Sequence, residues 1–215
     1  MTEQPTSNEV KRPQNPQEAW DAMKAGNRRF VTGALAHPRQ DIDRRASIAG
    51  VQKPFAALFG CADSRLSAEI IFDVGLGDLF VVRNAGQVIA ETILGSLEYS
   101  VEVLGVSLIL VLGHDECGAI RATIDATEGR VNAEGEFIHD LVARIKPTVL
   151  EANAMGKFLI DEVTELHVID TINEMITRSK VIAKAIETGK LAVVGANYKL
   201  VEGDIHPITI HGNIQ

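Results

Sequence analysis

Two short motifs in this sequence contain the residue types that bind transition metals. The first is CADSR at residues 61–65, and the second is HDEC at residues 114–117. Together they hold both cysteines of the 215-residue chain and one of its six histidines. Two thiolates and one imidazole are a donor set typical of Zn²⁺, with a fourth position left for water or for another side chain. We therefore predict that Cys61, His114 and Cys117 bind one Zn²⁺ ion per chain.

Asp63 and Arg65 are the charged residues of the first motif, and both can project from one loop beside Cys61. A bidentate bond from the arginine would fix the orientation of the carboxylate and keep it ionised. Such a carboxylate could accept a hydrogen bond from zinc-bound hydroxide, which would make the site catalytic. It could equally occupy the fourth zinc position, which would make the site structural. If Cys61 were not two residues away, an ordinary salt bridge within the loop would be the simpler interpretation.

The two motifs are distant in sequence, so the fold must bring them together. Short apolar runs typical of buried parallel strands occur at residues 55–60, 79–82, 106–112 and 191–196, with a possible edge strand at 208–210. Apolar spacing and terminating glycines favour helices at residues 16–31, 66–75, 88–104, 117–126, 136–154 and 160–188. This alternation predicts an α/β fold, with a mainly parallel sheet flanked by helices.

The predicted topology places both motifs at one edge of that sheet. Cys61 directly follows the first strand, and His114 directly follows the third. Sites in open parallel sheets lie outside the carboxyl ends of the strands, so the ligands can converge if these strands are near neighbours. The remaining histidines lack such a context and are interpreted as surface or packing residues: His37, His139, His167, His206 and His211.

Composition predicts one globular domain and argues against several functions. With 46% hydrophobic residues, residues 16–215 can form a single α/β domain, preceded by a polar, flexible arm at residues 1–15. The net charge of −8 argues against nucleic-acid binding. No apolar run approaches the roughly 18 residues of a membrane span, and the polar N-terminus lacks a signal-peptide core. We expect a cytoplasmic protein, and the lack of a CxxC pair excludes a thiol-redox motif.

The two motifs together, CADSR at 61–65 and HDECGA at 114–119, resemble those of the β-class carbonic anhydrases. The resemblance covers nearly all of the chain after the arm. It implies that Cys61, His114 and Cys117 are the zinc ligands, and that Asp63 and Arg65 form a catalytic dyad. The implied reaction is the reversible hydration of carbon dioxide to bicarbonate and a proton by zinc-bound hydroxide. The implied fold has four parallel strands and an added antiparallel edge strand, with an N-terminal helical arm.

The resemblance also implies a substrate pocket at a subunit interface. Gln52, nine residues before Cys61, resembles a glutamine that hydrogen-bonds substrate from the neighbouring subunit. Phe80 and Tyr99 resemble aromatic lining positions, and Ala85 resembles a small apolar lining position. Together with Gln52, the backbone N–H of Gly118 is a candidate to stabilise developing charge on the substrate oxygens. The expected assembly is a homodimer or a dimer of dimers, in which the N-terminal helices wrap the partner.

Two positions depart from patterns found in parts of that family. Leu58 stands where members with an inhibitory bicarbonate pocket have tryptophan, which weakens the case for such inhibition here. Val103 stands where some members have a proton-shuttle histidine, so no shuttle is assigned.

Two alternative functions use the same residues. The site could hydrolyse carbon disulfide or carbonyl sulfide, a choice that depends on access to the pocket. Alternatively, zinc could stabilise a binding or scaffold protein, with Asp63 as a permanent fourth ligand. The second alternative leaves Gln52 and Arg65 without a role.

Overall fold

A computed structural model describes residues 12–130 and 135–215 of the chain. Its strands are β1 Ala56–Cys61, β2 Leu79–Asn84, β3 Leu108–His114, β4 Ala192–Tyr198 and β5 Ile205–His211. Its helices are α1 Pro16–Val31, α2 Ile42–Ser47, α3 Ala68–Ile71, α4 Glu91–Glu102, α5 Gly118–Thr127, α6 Glu136–Ala154, α7 Ile160–Arg178 and α8 Lys180–Glu187. A single 3₁₀ turn, Ala85–Gln87, follows β2.

The five strands form one sheet in the order β2-β1-β3-β4-β5. The first four are parallel, and β5 pairs antiparallel with β4, which confirms the predicted fold class. Because β1 and β3 are direct neighbours, their carboxyl ends meet at one edge of the sheet. The strands end slightly later than the sequence predicts. Cys61 and His114 are therefore the last residues of β1 and β3 and not the first residues after them.

Helices cover both faces of the sheet, which explains why its central strands are continuous apolar runs. Successive residues of β3 point to opposite faces: Leu110 lies in one buried apolar cluster and Ile109 in the other. Helices α1, α5 and α6 contribute to the first cluster, with Trp20, Ile120 and Ile145. Helices α4, α7 and α8 contribute to the second cluster, with Leu97, Ile172 and Ile182. None of the helices in the described ranges has the length and apolarity that a membrane span requires.

The first helix begins and ends where the sequence predicts. The side chain of Asn15 accepts a hydrogen bond from the backbone N–H of Glu18, and Pro16 occupies the first turn, where its missing N–H is not needed. Of the predicted arm at residues 1–15, residues 1–11 lie outside the described part. Arg12 is described, and its guanidinium donates to the backbone oxygen of Pro54 just before β1. The arm as a flexible segment stays a prediction.

The single helix predicted at residues 160–188 is wrong, because the structure has two helices there. Ser179 adopts an extended conformation between α7 and α8, with φ −105° and ψ 106°. Its hydroxyl oxygen accepts the N–H of Ile182 at 3.1 Å, as an N-cap serine does, and donates to Glu98 at 2.6 Å. An apolar helical pattern runs through both helices, and it hides this break.

The helix predicted at residues 66–75 is also shorter than expected, since only Ala68–Ile71 is helical. The chain turns at Asp73, which has a positive φ of 43°. Its carboxylate accepts the backbone N–H groups of Ala36 and His37, each at 3.0 Å. These long-range bonds stabilise the turn at the expense of another helical turn.

Candidate metal centre

Three buried side chains meet where β1 and β3 end. The ligand atoms of Cys61, His114 and Cys117 all lie within 4.8 Å of one another. Cys61 and His114 come from the two neighbouring strand ends, and Cys117 is the residue before α5. The strand pairing and the strand-to-helix turn thus bring together residues that are 56 positions apart at most, as the sequence predicts. This set could hold a metal ion.

The imidazole of His114 is oriented as a metal ligand requires. Its Nδ1 lies 2.7 Å from the backbone oxygen of Asp115, and a carbonyl oxygen only accepts, so Nδ1 carries the proton. The Nε2 lone pair is then free to bind a cation, and a backbone partner of this kind fixes the tautomer of many metal-binding histidines. Nε2 is fully buried and has no hydrogen-bond partner among the residues that the structure describes. A cation at this position would supply the missing partner.

The two cysteine side chains of the site influence each other's pKa. A hydrogen bond from Cys117 lowers the pKa of Cys61 to about 4, against the opposing effect of burial. The same contact, together with burial, raises the pKa of Cys117. Backbone N–H groups also face the sulfur atoms: Gly86 N lies 3.4 Å from Cys61 Sγ. Two sulfurs that share one proton release it when a metal binds.

Asp63 and Arg65 form the bidentate pair that the sequence suggests. Arg65 Nε donates to Asp63 Oδ1 at 2.9 Å and Nη2 donates to Oδ2 at 2.7 Å, while the Arg65 backbone N–H also bonds Oδ1. These bonds hold the pKa of Asp63 well below its usual range. Asp63 Oδ2 lies 3.9 Å from His114 Nε2, so an ionised, oriented carboxylate stands beside the three ligand atoms.

Ala85 and Gly118 also lie at the centre. Ala85 directly follows Asn84, which pairs with Cys61 in the sheet, and its side chain is exposed. Gly118 directly follows Cys117 and begins α5, where backbone N–H groups have no partner within the helix. Both residues can therefore contact a small molecule at the metal ligands.

The structure does not bring Gln52, Phe80 and Tyr99 to the ligands of their own chain. Gln52 is exposed and precedes the amino end of β1, and the strand alone separates Ala56 from Cys61 by roughly 16 Å. Phe80 pairs with Ala57, also near the amino end of the sheet. The rings of Phe80 and Tyr99 contact each other, with centroids 6.1 Å apart. Any role for these three residues requires a second chain.

Arg83 contacts the first motif directly and His167 contacts the turn beside it, and the sequence predicts neither contact. Arg83 donates from Nε to the Cys61 backbone oxygen at 2.8 Å and from Nη2 to the Asp63 backbone oxygen at 2.6 Å. It therefore holds the loop that carries the first motif. His167 is a buried packing residue, and it bonds the carbonyl of Gly86. Neither role has a local signal, because both depend on which elements are neighbours in space.

Comparisons with known proteins agree with this geometry. A family model described as carbonic anhydrase matches residues 56–205. "Carbonic anhydrase 2" of Mycobacterium tuberculosis is 50% identical over 190 residues, which cover 88% of this chain and 91% of the relative. "Carbonic anhydrase" of Mycolicibacterium smegmatis is 49% identical over 192 residues, which cover 89% and 92% of the two chains.

A solved structure agrees as well. The β-carbonic anhydrase of Coccomyxa, solved with acetazolamide, superposes with a TM-score of 0.70 at 26% identity, over 87% of this chain and 86% of that one. The segment matched by the family model contains both motifs and the four parallel strands, and it ends at the first residue of β5. On its sequence motifs, its sheet and these similarities, the chain belongs to the β-class carbonic anhydrase family.

Proposed function

We propose that this chain catalyses the reversible hydration of carbon dioxide to bicarbonate and a proton, with one Zn²⁺ ion held by Cys61, His114 and Cys117. Membership of the family supports the reaction. The buried Nε2 of His114 supports the site, because it faces two cysteine sulfurs and has no partner among the described residues. Two thiolates and an imidazole are ligands that suit zinc.

When bound, Zn²⁺ supplies the Lewis acidity that lowers the pKa of a water molecule toward neutrality and makes a nucleophile available. The ligands that the protein provides determine how far the pKa of this water is lowered. Two thiolates balance the charge of the ion, so the water is less acidic than with three neutral imidazoles. Backbone N–H groups that face the sulfurs, such as that of Gly86 on Cys61, draw part of this negative charge back.

Asp63 acts as an oriented hydrogen-bond acceptor for the nucleophile. Its carboxylate is ionised and held by three donors from Arg65, and it lies beside the ligand atoms. Arg65 thus serves as the positioning partner of Asp63. This arrangement favours an enzyme over a structural zinc site, because orienting the carboxylate toward a nucleophile gives Arg65 a role, whereas a structural site leaves it without one.

Ala85 and Gly118 contact the substrate. Carbon dioxide is small and apolar, and the exposed methyl group of Ala85 gives it an apolar surface next to the ligands. The N–H of Gly118 at the start of α5 is placed to stabilise negative charge that develops on a substrate oxygen, as helix N-termini do for anions.

A second copy of the chain completes the pocket with Gln52, Phe80 and Tyr99. The three residues lie away from their own metal ligands, and Tyr99 is 44% exposed beside the exposed Val103. The proposed assembly is a homodimer or a dimer of dimers. Its expected location is the cytoplasm, where the two free cysteines stay reduced. Sedimentation of the zinc-loaded protein tests the assembly: a monomer at micromolar concentration would contradict it.

The test of the reaction is stopped-flow hydration of carbon dioxide by zinc-loaded protein across a pH series. We expect turnover to rise with pH, because the nucleophilic water must lose a proton. Cys117→Ser, measured for zinc content and turnover together, should lose both. No hydration at alkaline pH by wild-type protein with stoichiometric zinc would contradict the proposed reaction. Carbonyl sulfide and carbon disulfide would then be assayed in parallel, and inactivity on these as well would indicate a structural site.

A further inference from the structure

His167 lies on the buried face of α7, next to the turn after β2. Its side chain is 5% exposed, and on the same helix the neighbouring Thr164, Val168 and Thr171 are also buried. An imidazole removed from water in this way is costly unless its polar atoms are hydrogen-bonded. Burial lowers the pKa of His167, so the ring is neutral.

The one hydrogen bond of the His167 ring among the described residues joins it to the turn after β2. Nε2 lies 2.7 Å from the backbone oxygen of Gly86. A carbonyl oxygen only accepts, so His167 Nε2 carries the ring proton and donates it. Nδ1 is then the unprotonated nitrogen, and it is buried without a described partner. Of the two neutral tautomers, the structure therefore requires the Nε2–H form.

The turn that His167 contacts has an unusual backbone. Gly86 has a φ of 73° and Gln87 a φ of 40°, so two consecutive residues are in the left-handed region. Glutamine in this region is strained and persists only where the surroundings hold it. A side chain at Gly86 is also excluded, because a Cβ would lie 2.9 Å from Ala119 and from Ile145.

Two sets of hydrogen bonds hold this turn. The amide side chain of Asn84 bonds both the N–H and the carbonyl oxygen of Val88, which closes the turn from its ends. His167 holds its middle, at Gly86. Gly86 in turn donates its backbone N–H to the sulfur of Cys61. A single residue thus connects the imidazole on α7 with a proposed zinc ligand on β1.

We propose that His167 is a positioning residue for the metal centre, which holds the Gly86 N–H on the Cys61 sulfur and so raises the affinity of the site for Zn²⁺. This inference rests on the proposed zinc site. A hydrogen bond to a ligand sulfur holds the sulfur in place and fixes the direction of its lone pairs, so less order has to be created when the metal binds. Partners of metal ligands commonly change metal affinity by about 10- to 100-fold.

Two amide substitutions at His167 test the hydrogen bond to Gly86, because the two new side chains differ in length. The amide nitrogen of His167→Gln can take the place of Nε2 and donate to Gly86, whereas the shorter His167→Asn cannot reach it. Thr148→Val is the matched control, because it removes a 2.5 Å hydrogen bond to Asp170 between α6 and α7 without contacting Gly86. Thermal unfolding of the metal-free variants measures the loss of stability in each.

Zinc affinity is measured by competition with a chelator, and the thiolate-to-metal charge-transfer band is measured on Co²⁺-substituted protein. We expect His167→Asn to bind zinc roughly 10-fold or more weakly and to shift the band. His167→Gln should recover most of the affinity and the wild-type band. Thr148→Val should lose stability but keep the zinc affinity and the charge-transfer band of the wild type. The proposal would be overturned if His167→Asn bound zinc as tightly as the wild type. It would also be overturned if both amide variants lost zinc affinity equally.

A measurement on the wild type covers the case in which His167→Asn does not fold. Long-range ¹H–¹⁵N spectra distinguish the two neutral histidine tautomers, with the His167 signals assigned by their loss in His167→Gln. The expected form carries its proton on Nε2, and an Nδ1–H tautomer would overturn the proposal. If the wild type binds no zinc through Cys61, His114 and Cys117, both the proposed function and the role of His167 are wrong. If zinc binds there and the variants do not differ, only the role of His167 fails.

Discussion

Two of the arginine–aspartate pairs in this chain invite comparison, one at the metal centre and one beside α1. Arg65 binds Asp63 with a shortest distance of 2.7 Å, and Arg29 binds Asp73 at 2.5 Å. The Asp63 pair joins residues two positions apart within one loop. The Asp73 pair spans 44 positions and joins α1 to the turn after α3.

The two carboxylates differ in what surrounds them. Asp73 is 1% exposed, and its oxygens accept bonds from Arg29 and from the backbone N–H groups of Ala36 and His37. The carboxylate of Asp63 accepts bonds from Arg65 alone among the described residues, and one of its oxygens faces His114 at 3.9 Å. Asp73 therefore connects distant parts of the chain, whereas Asp63 is oriented toward the proposed zinc ligands. The same type of ion pair connects distant parts of the fold in one place, and in the other we propose that it orients a catalytic group.

The largest expected effect is on turnover, in Asp63→Asn. The amide keeps the shape of the side chain, but its NH₂ group cannot accept from Arg65 and cannot act as a full acceptor for the nucleophile. We expect kcat/KM for carbon dioxide hydration to fall roughly 100-fold or more, as for the loss of one oriented polar group in an active site. The bonds lost lie within one loop, so the thermal midpoint near neutral pH should fall less than it does in Asp73→Asn. Stopped-flow assays and thermal unfolding measure the two effects.

The matched substitution, Asp73→Asn, should show the opposite pattern. Removing the charge leaves Arg29 without its partner and places an NH₂ group against backbone donors. We expect the free energy of unfolding to fall by about 2–4 kcal/mol. Turnover per folded molecule should stay unchanged, because Asp73 does not contact the centre. Urea unfolding and active-site titration measure these quantities. If Asp73→Asn lost turnover without losing stability, the separation of the two roles would be wrong.

The sequence alone distinguishes these two aspartates only in part. Asp63 stands two residues from Cys61, and that local spacing predicts its place at the metal centre. The partners of Asp73 lie 36 to 44 positions away, so its role depends on the packing of α1 against the turn after α3. The same limit applies to Arg83 and His167, whose contacts need the order of the strands and the position of α7.

More of the fold than of the site could be predicted from the sequence. Continuous apolar runs between helical segments are a strong local signal for buried parallel strands, and the five-stranded sheet agrees with it. The break at Ser179 was hidden because the apolar pattern continues across it, and only the hydroxyl cap on Ile182 shows it. Gln52, Phe80 and Tyr99 remain predictions, since one chain cannot show what a second chain places beside the ligands.

The smallest effect expected is in the pH dependence of stability. The pKa of Asp73 is lowered, because burial, which alone would raise it, is outweighed by the N–H of Ala36, by Arg29 and by the N–H of His37. A carboxyl group with a lowered folded-state pKa stabilises the protein above its ordinary value of 3.8, and this contribution is lost as the pH falls through the lower value. We expect the stability of Asp73→Asn to decline less steeply than that of the wild type below about pH 4.

Urea unfolding of both metal-free proteins from neutral to acidic pH measures this difference. Titration of the metal ligands contributes equally to both curves, because both proteins contain the same ligands. Asp63→Asn serves as the second comparison. The pKa of Asp63 is lowered as well, chiefly by the hydrogen bond from Arg65, so its substitution should also reduce the slope. Parallel curves for wild type and Asp73→Asn would contradict a lowered pKa of Asp73 in the folded protein. We expect stability to depend less on pH in both variants and turnover to be lost in Asp63→Asn alone. That result would show that both carboxylates are stabilised in their ionised form, and that only Asp63 takes part in the reaction.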